Sequence, residues 1–181
     1  MITTPQPFVW LDLEMTDLDP QKGTIIEIAS LITDFQLNVL DEGPDIVIHQ
    51  PKKVLDEMGN WYKEHFTQSG LLEEIKLSDI TLDNAERKTL SFIKKHCAPQ
   101  SGVLAGCSVH VDRLFLYHHM PKVYGYLHHH ILDVDTFKEA AFHWYPNLPE
   151  FSRAKAHRAH DDILDSIAEL KYYKENILKN P

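Results

Sequence analysis

The chain has 181 residues, 43% of them apolar, and a formal net charge of −9. That length suits one domain with enough core to fold unaided, and no apolar stretch is long enough to cross a bilayer. The acidic balance argues against a protein that grips long nucleic acid through many phosphate contacts, which needs dense Lys and Arg. It leaves room for an enzyme whose nucleic-acid substrate is short and whose metal ions neutralise phosphate locally. The two cysteines, Cys97 and Cys107, make a disulfide scaffold a poor reading and suit a reducing compartment. The N-terminus lacks a basic region followed by an apolar core, so secretion is not indicated.

Met1 to Gln6 reads as a loose arm in front of a single domain that takes in residues 1–181. Phe8 to Leu13 is an apolar run expected to form a buried central strand. Asp12 and Glu14 stand at its end, spaced i, i+2, so on a strand both project from one face. Thr16-Asp17-Leu18-Asp19-Pro20 is a turn by its Asp and Pro content. Thr24 to Asp34 is a second strand, and Asn38-Val39-Leu40 with Asp45-Ile46-Val47-Ile48 a further strand or strands. Short polar turns between them favour antiparallel pairing.

From Lys52 the apolar period becomes helical, with Val54, Leu55, Met58, Trp61 and Tyr62 on one face. Gly70 interrupts, and Leu71, Leu72 and Ile75 mark a short segment. Ser78 to Ala98 predicts a stronger helix capped by Thr81 or Asp83. A short buried strand at Val103 to Gly106 precedes a helix from Asp112 to Met120, with Phe115 and Leu116 inward and Pro121 beyond its end. Ile131 to Val134 is a strand and Thr136 to Trp144 a helix. The last helix, Asp161 to Leu178, places Ile163, Leu164, Ile167, Leu170, Lys171 and Ile177 on its buried side. Early strands followed by alternating helices and strands give the α/β class with a mixed sheet.

The residues that carry chemistry sit where side chains emerge from a sheet edge. Asp12 and Glu14 end the first strand, Asp112 opens a helix after the strand at Val103 to Gly106, and His157 and Asp162 flank the start of the last helix. Acids converging in this way cannot all stay ionised without cations. Two divalent metals about 3.5–4 Å apart resolve the repulsion and support in-line cleavage of a phosphodiester. Hard oxygen ligands select Mg²⁺ or Mn²⁺ over Zn²⁺. His157 is the natural base for an attacking water.

The order Asp-x-Glu, a middle Asp, then His-x4-Asp resembles the DEDDh class of 3′–5′ exonucleases. Longer strings resemble the oligoribonuclease family within it: Trp10-Leu11-Asp12-Leu13-Glu14-Met15-Thr16 with Leu18-Asp19-Pro20, Ile25-Ile26-Glu27, Ser69-Gly70-Leu71, Asp133-Val134, His157-Arg158-Ala159 with Asp161-Asp162-Ile163, Ser166-Ile167-Ala168-Glu169-Leu170, and Tyr172-Tyr173. The resemblance implies an RNase H-like mixed five-stranded sheet flanked by helices, a homodimer, and degradation of short RNA oligonucleotides to mononucleotides. It implies Asp12, Glu14, Asp112 and Asp162 as ligands of two Mg²⁺ or Mn²⁺ ions, and His157 as general base. It further implies Leu18 and Phe66 as the grip on the terminal base with Trp61 nearby, Ser108 near a substrate phosphate, and His129 and His130 contributed across the dimer. The family works in bacterial cytoplasm and in eukaryotic cytosol or mitochondria, so a cytoplasmic location is expected, or a mitochondrial one in a eukaryote; no membrane partner is implied.

The chain departs from the family pattern at Asp17, usually Gly, and Cys107, usually Asn. His128-His129-His130 stands for His-Tyr-Arg, Asp135 for a serine, and Phe142-His143 for a basic pair. By the resemblance, several of these departures cluster at the substrate's 5′-phosphate end, while the metal end is intact. Three consecutive histidines cannot all face one way on a strand, and no Cys-x-x-Cys accompanies them, so they read as an exposed turn rather than a Zn²⁺ site. The alternatives are a DEDDh exonuclease acting on longer RNA or DNA, or a non-catalytic RNA-binding protein that retains the fold.

Overall fold

A computed structural model describes residues 6–153 and 158–178. Three antiparallel strands come first: β1 (Phe8–Met15), β2 (Ile25–Thr33) and β3 (Val39–Val47). Two short strands, β4 (Val103–Gly106) and β5 (Ile131–Asp133), then add in parallel beyond β1, giving a five-stranded sheet of order β3-β2-β1-β4-β5. β1 is therefore central, as its apolar run requires. β3 is one continuous strand, with the polar stretch Asp41-Glu42-Gly43 inside it. It lies at the sheet edge, where a half-solvated strand tolerates charge.

Alternation along β1 divides the core in two. Val9, Leu11 and Leu13 face α4 (Leu82–His96), α5 (Val109–His119) and α6 (Pro121–Tyr126), packing on Phe92, Ile93, Phe115, Leu116 and Val123. Trp10 faces the other layer, α7 (Val134–Trp144) and α8 (Ala159–Asn176), with Val134, Ala141, Ile163, Ile167 and Leu170. A third cluster packs Ile26 of β2 on α1 (Lys52–Glu57), α2 (Asn60–Gln68) and α3 (Leu71–Leu77).

Several elements differ from the sequence expectation. The helix read from Lys52 onward is two helices, because Met58 and Gly59 are extended at ψ 144 and 151. Pro121 does follow the end of α5, and it also begins α6, where a first-turn proline loses no hydrogen bond. α5 starts three residues before Asp112, at Val109. On α8 the buried stripe runs through Ala159, Ile163, Ser166, Ile167, Leu170 and Tyr173. Leu164, 40% exposed, and Lys171 fall one residue off that stripe and face solvent. Thr81 does cap α4, its hydroxyl accepting the Asn84 N–H at 3.3 Å.

Trp10 is fully buried, and its indole N–H donates to the Thr33 hydroxyl at 2.9 Å. Thr33→Val keeps the shape and leaves that donor unpaired. The expected loss is about 1–3 kcal/mol, read as a lower urea midpoint at unchanged slope. An unaltered midpoint would show that this bond contributes nothing to the core.

Candidate active site

The site forms because β1 outlasts its parallel neighbour. Pairing with β4 stops at Trp10 and Ala105, while β1 continues to Met15. The chain leaves β4 at Gly106, hard against β1: a Cβ there would come within 3.0 Å of the Leu11 carbonyl. It then turns through Ser108 in the left-handed region, at φ 47, into α5. The overhanging Leu13 N–H has no strand partner on that side, and Asp112 Oδ1 accepts it at 2.9 Å. Asp112 is thereby fixed, 5% exposed, at the end of the central strand.

Asp12 and Glu14 lie on the Trp10 face of β1, the face covered by α8. α8 begins at this end of the sheet and carries Asp162 in its first turn, where the helix dipole favours a carboxylate. Carboxylate oxygens of Asp12, Glu14 and Asp162 lie within 4.8 Å of one another. Asp112 stands behind them, and its charge acts on Asp12.

The electrostatics follow from this crowding. Burial, then the charges of Asp112, Glu14, Asp162 and Glu27, raise Asp12 well above the ordinary carboxylate range. Burial, then Asp162, Glu27 and Asp112, push Glu14 up to about 8, against the pull of Arg158. Burial raises Asp112 as well, opposed by the Leu13 N–H. A cluster of hard oxygen donors that resist ionising together fits a divalent cation. Asp12, Glu14 and Asp162 could hold such an ion.

Glu27 belongs to the Ile25-Ile26-Glu27 string, and its side chain proves to be a site residue, a role the string alone does not assign. It lies opposite Glu14 on β2 and is fully buried. Its Oε2 accepts the Ala159 N–H at 3.1 Å, and its Oε1 accepts Arg158 Nε at 2.9 Å. Arg158 also binds Glu74 of α3 through both terminal nitrogens, at 3.0 and 2.9 Å. Glu27 thus caps α8 where Arg158 has no side-chain cap to offer. The signal was in the sequence: an acid inside Ile-Ile-Glu-Ile-Ala needs a partner if buried.

The other expected residues are placed unevenly. His157 lies outside the described residues. Leu18 is 65% exposed in the turn after β1, and Trp61 is 58% exposed on α2, stacked on His65 at 3.9 Å between centroids. Phe66 does not belong with them: it is 2% exposed and packs with Ile26, Leu55, Met58, Leu71 and Ile75. The α2 helix turns Phe66 inward when Trp61 faces out, so the base-gripping role expected of Phe66 is corrected to a core role. Ser108 donates its hydroxyl to Asp135, which also accepts the Cys107 thiol at 3.0 Å. His129 and His130 lie in the connection before β5.

Carboxylates gathered at the end of a central strand, with a mixed sheet between helical layers, define an RNase H-like exonuclease. Solved structures of exonuclease I share the fold. That from Methylocaldum szegediense aligns over 96% of this chain and 41% of its own, at TM-score 0.69 and 16% identity. The E. coli enzyme in complex with a 5cy-dT13 oligonucleotide gives 0.72 and 16%, over 96% and 42%. This chain thus spans under half of those longer chains, and at such identity the likeness concerns fold alone.

Residues 9–170 match the RNase_T exonuclease family. The chain is 51% identical over 176 residues to the mitochondrial oligoribonuclease of Mus musculus and equally to that of Homo sapiens, covering 96% of this chain and 74% of each relative. It is 44% identical to the oligoribonuclease of Pseudomonas aeruginosa PAO1, over 97% of this chain and 98% of that one. The chain belongs to the oligoribonuclease family.

The raised carboxylates set a pH dependence. A group ionising at about 8 when folded, against 4.5 ordinarily, favours the unfolded state once pH exceeds 4.5. The metal-free protein should therefore lose stability, on the order of a few kcal/mol, as pH rises from about 4.5 to about 8. Mg²⁺ should restore it at the alkaline end, and Glu14→Gln should flatten the slope. Thermal melts in chelator across that range check this; a parent melting point independent of pH would remove the proposed repulsion.

Proposed function

We propose that the chain is a 3′–5′ exoribonuclease that degrades RNA of two to a few nucleotides to mononucleotides. The observation that carries this reading is the convergence of Asp12, Glu14 and Asp162 beside Asp112 in a chain of the oligoribonuclease family. The acidic chain, with net charge −9, suits a short substrate, since a long one demands a basic track.

Asp12, Glu14, Asp112 and Asp162 would hold two Mg²⁺ or Mn²⁺ ions. When bound, such ions stabilise charge on the attacking and leaving oxygens of a phosphodiester. Asp112 fixes its own position through the Leu13 N–H and so sets the depth of the site. His157, when neutral, would take the proton of the attacking water. Arg158 and Ala159, next in sequence, are anchored on Glu27. Exposed Leu18 and Trp61 offer an apolar edge and an aromatic face to the terminal base.

Ser108 can reach a substrate phosphate only by giving up Asp135, whose carboxylate repels anions. Burial raises Asp135, yet the Ser108 and Cys107 donors outweigh it and hold its pKa below the usual range. His129 and His130 precede β5, which lies level with the start of β1, so they are remote from the carboxylates of their own chain. A substrate role for them requires a second copy. A homodimer would also cover the exposed Phe142 and Trp144 of α7, each 75% accessible. No described helix is long and apolar enough to cross a membrane.

With Mn²⁺, the protein should release mononucleotides from a labelled RNA dinucleotide much faster than from an RNA of about 20 nucleotides, where a basic track would be needed. Asp12→Ala should abolish both. Equal rates on the two lengths would favour a general exonuclease, and no turnover of either would favour a binding protein. His157→Ala should lower kcat by roughly 10²–10⁴-fold with little change in KM; an unaltered kcat would make His157 structural.

A further inference from the structure

A strand would send His128, His129 and His130 to alternate faces, but these residues are not in a strand. They occupy the irregular connection between α6 and β5, and their rings converge. Ring centroids lie 4.2 Å apart for His128 and His129, 4.3 Å for His129 and His130, and 4.5 Å for His128 and His130. One ring nitrogen from each falls within 4.8 Å of the other two. We propose that these three imidazoles form a second metal site, separate from the carboxylates, that takes Zn²⁺ with its remaining position open to water.

The donor set decides the ion. Three imidazoles without a carboxylate suit Zn²⁺ and its borderline neighbours and offer little to Mg²⁺ or Mn²⁺. Three histidines with an open fourth position is a complete tetrahedral plan for zinc. Zn–N bonds of about 2.0–2.1 Å imply nitrogens roughly 3.3 Å apart, so the rings must close by no more than about one and a half ångströms. His129 and His130 are exposed and free to rotate that far, whereas His128 is half-buried and acts as the anchor.

His128 is held from two sides. Its Nδ1 accepts the His130 N–H at 3.0 Å, and its carbonyl accepts Arg113 Nη1 at 3.2 Å. Binding through either ring nitrogen gives up the Nδ1 bond, since ligation at Nε2 puts the proton on Nδ1. A bond of that kind is worth about tenfold in an equilibrium constant, which two further ligands outweigh. Arg113 is the nearby cation that opposes a metal ion, and its guanidinium is drawn over the Tyr124 ring, 4.9 Å from the centroid.

The site is distinct from the carboxylate cluster within one chain. Parallel register sets Ile131 level with Leu104 and Val9, so Asp12 and Glu14 lie three and five residues further along the sheet. At about 3.3 Å per residue that is roughly 10–17 Å, with two strand spacings in addition. The metal reading does not rest on the substrate role suggested for His129 and His130; the two roles compete for the same nitrogens.

The test is a titration of the full chain, stripped with chelator and kept in millimolar Mg²⁺ to compete for carboxylate oxygens, with Zn²⁺ by calorimetry and with Co²⁺ by visible absorption. The parent should bind one ion per chain and show the intense absorption of tetrahedral Co²⁺. His129→Gln/His130→Gln should weaken binding by at least about tenfold, since even outer-shell losses cost that much, and should abolish the absorption. Asp12→Asn should keep both. Parent-like binding by the double variant, loss of the signal in Asp12→Asn, or no Zn²⁺ uptake by the parent would overturn the proposal. If the double variant melts lower without metal, His129→Gln alone gives the same reading with less disturbance.

Discussion

Mutual repulsion among carboxylates at the end of a buried strand is the constraint on which the rest of this structure depends. Asp12, Glu14, Asp112 and Asp162 come from β1, α5 and α8, elements far apart in sequence. Their burial raises the cost of ionisation, and their proximity raises it again. Such an arrangement persists only if packing elsewhere supplies the stability that the site consumes. The two apolar layers on either face of β1 supply it, with Trp10 on one side and Leu11 and Leu13 on the other.

The supporting contacts share a logic. Where β1 runs past β4, a backbone donor is exposed in the interior, and Asp112 meets it. Where α8 begins without its own cap, Glu27 meets the Ala159 N–H and the Arg158 guanidinium. Asp112 and Glu27 thus each answer a backbone need as well as an electrostatic one. Those two bonds hold Asp112 and Glu27 in place independently of any ion, beside the crowded Asp12 and Glu14.

The departures from the family pattern have local physical consequences. Asp135 draws the Ser108 hydroxyl and the Cys107 thiol to itself, so three changed or adjoining positions form one small network rather than isolated losses. The histidine run lies in an irregular connection, outside the alternation that a strand would impose, and there adjacent rings can gather.

The sequence by itself determined the strands, the principal helices and the order of the acids. Apolar alternation and helical period are local properties of the chain, and the motif spacing is a property of its order. It did not determine the break at Met58 and Gly59, since an apolar helical stripe continues across it, while in the fold Leu55, Met58 and Phe66 from both sides of the break pack with Ile26 of β2. Its family resemblance put Phe66 on the substrate and its helical period put Trp61 on the apolar face, because period shows which residues share a face but not which face meets the core. It placed Glu27 in a motif string without assigning it a role or naming Arg158 and Ala159 as its partners, which lie 131 and 132 residues away. Those facts were decided by tertiary structure, for the reason that a side chain's surroundings are set by elements brought together only on folding.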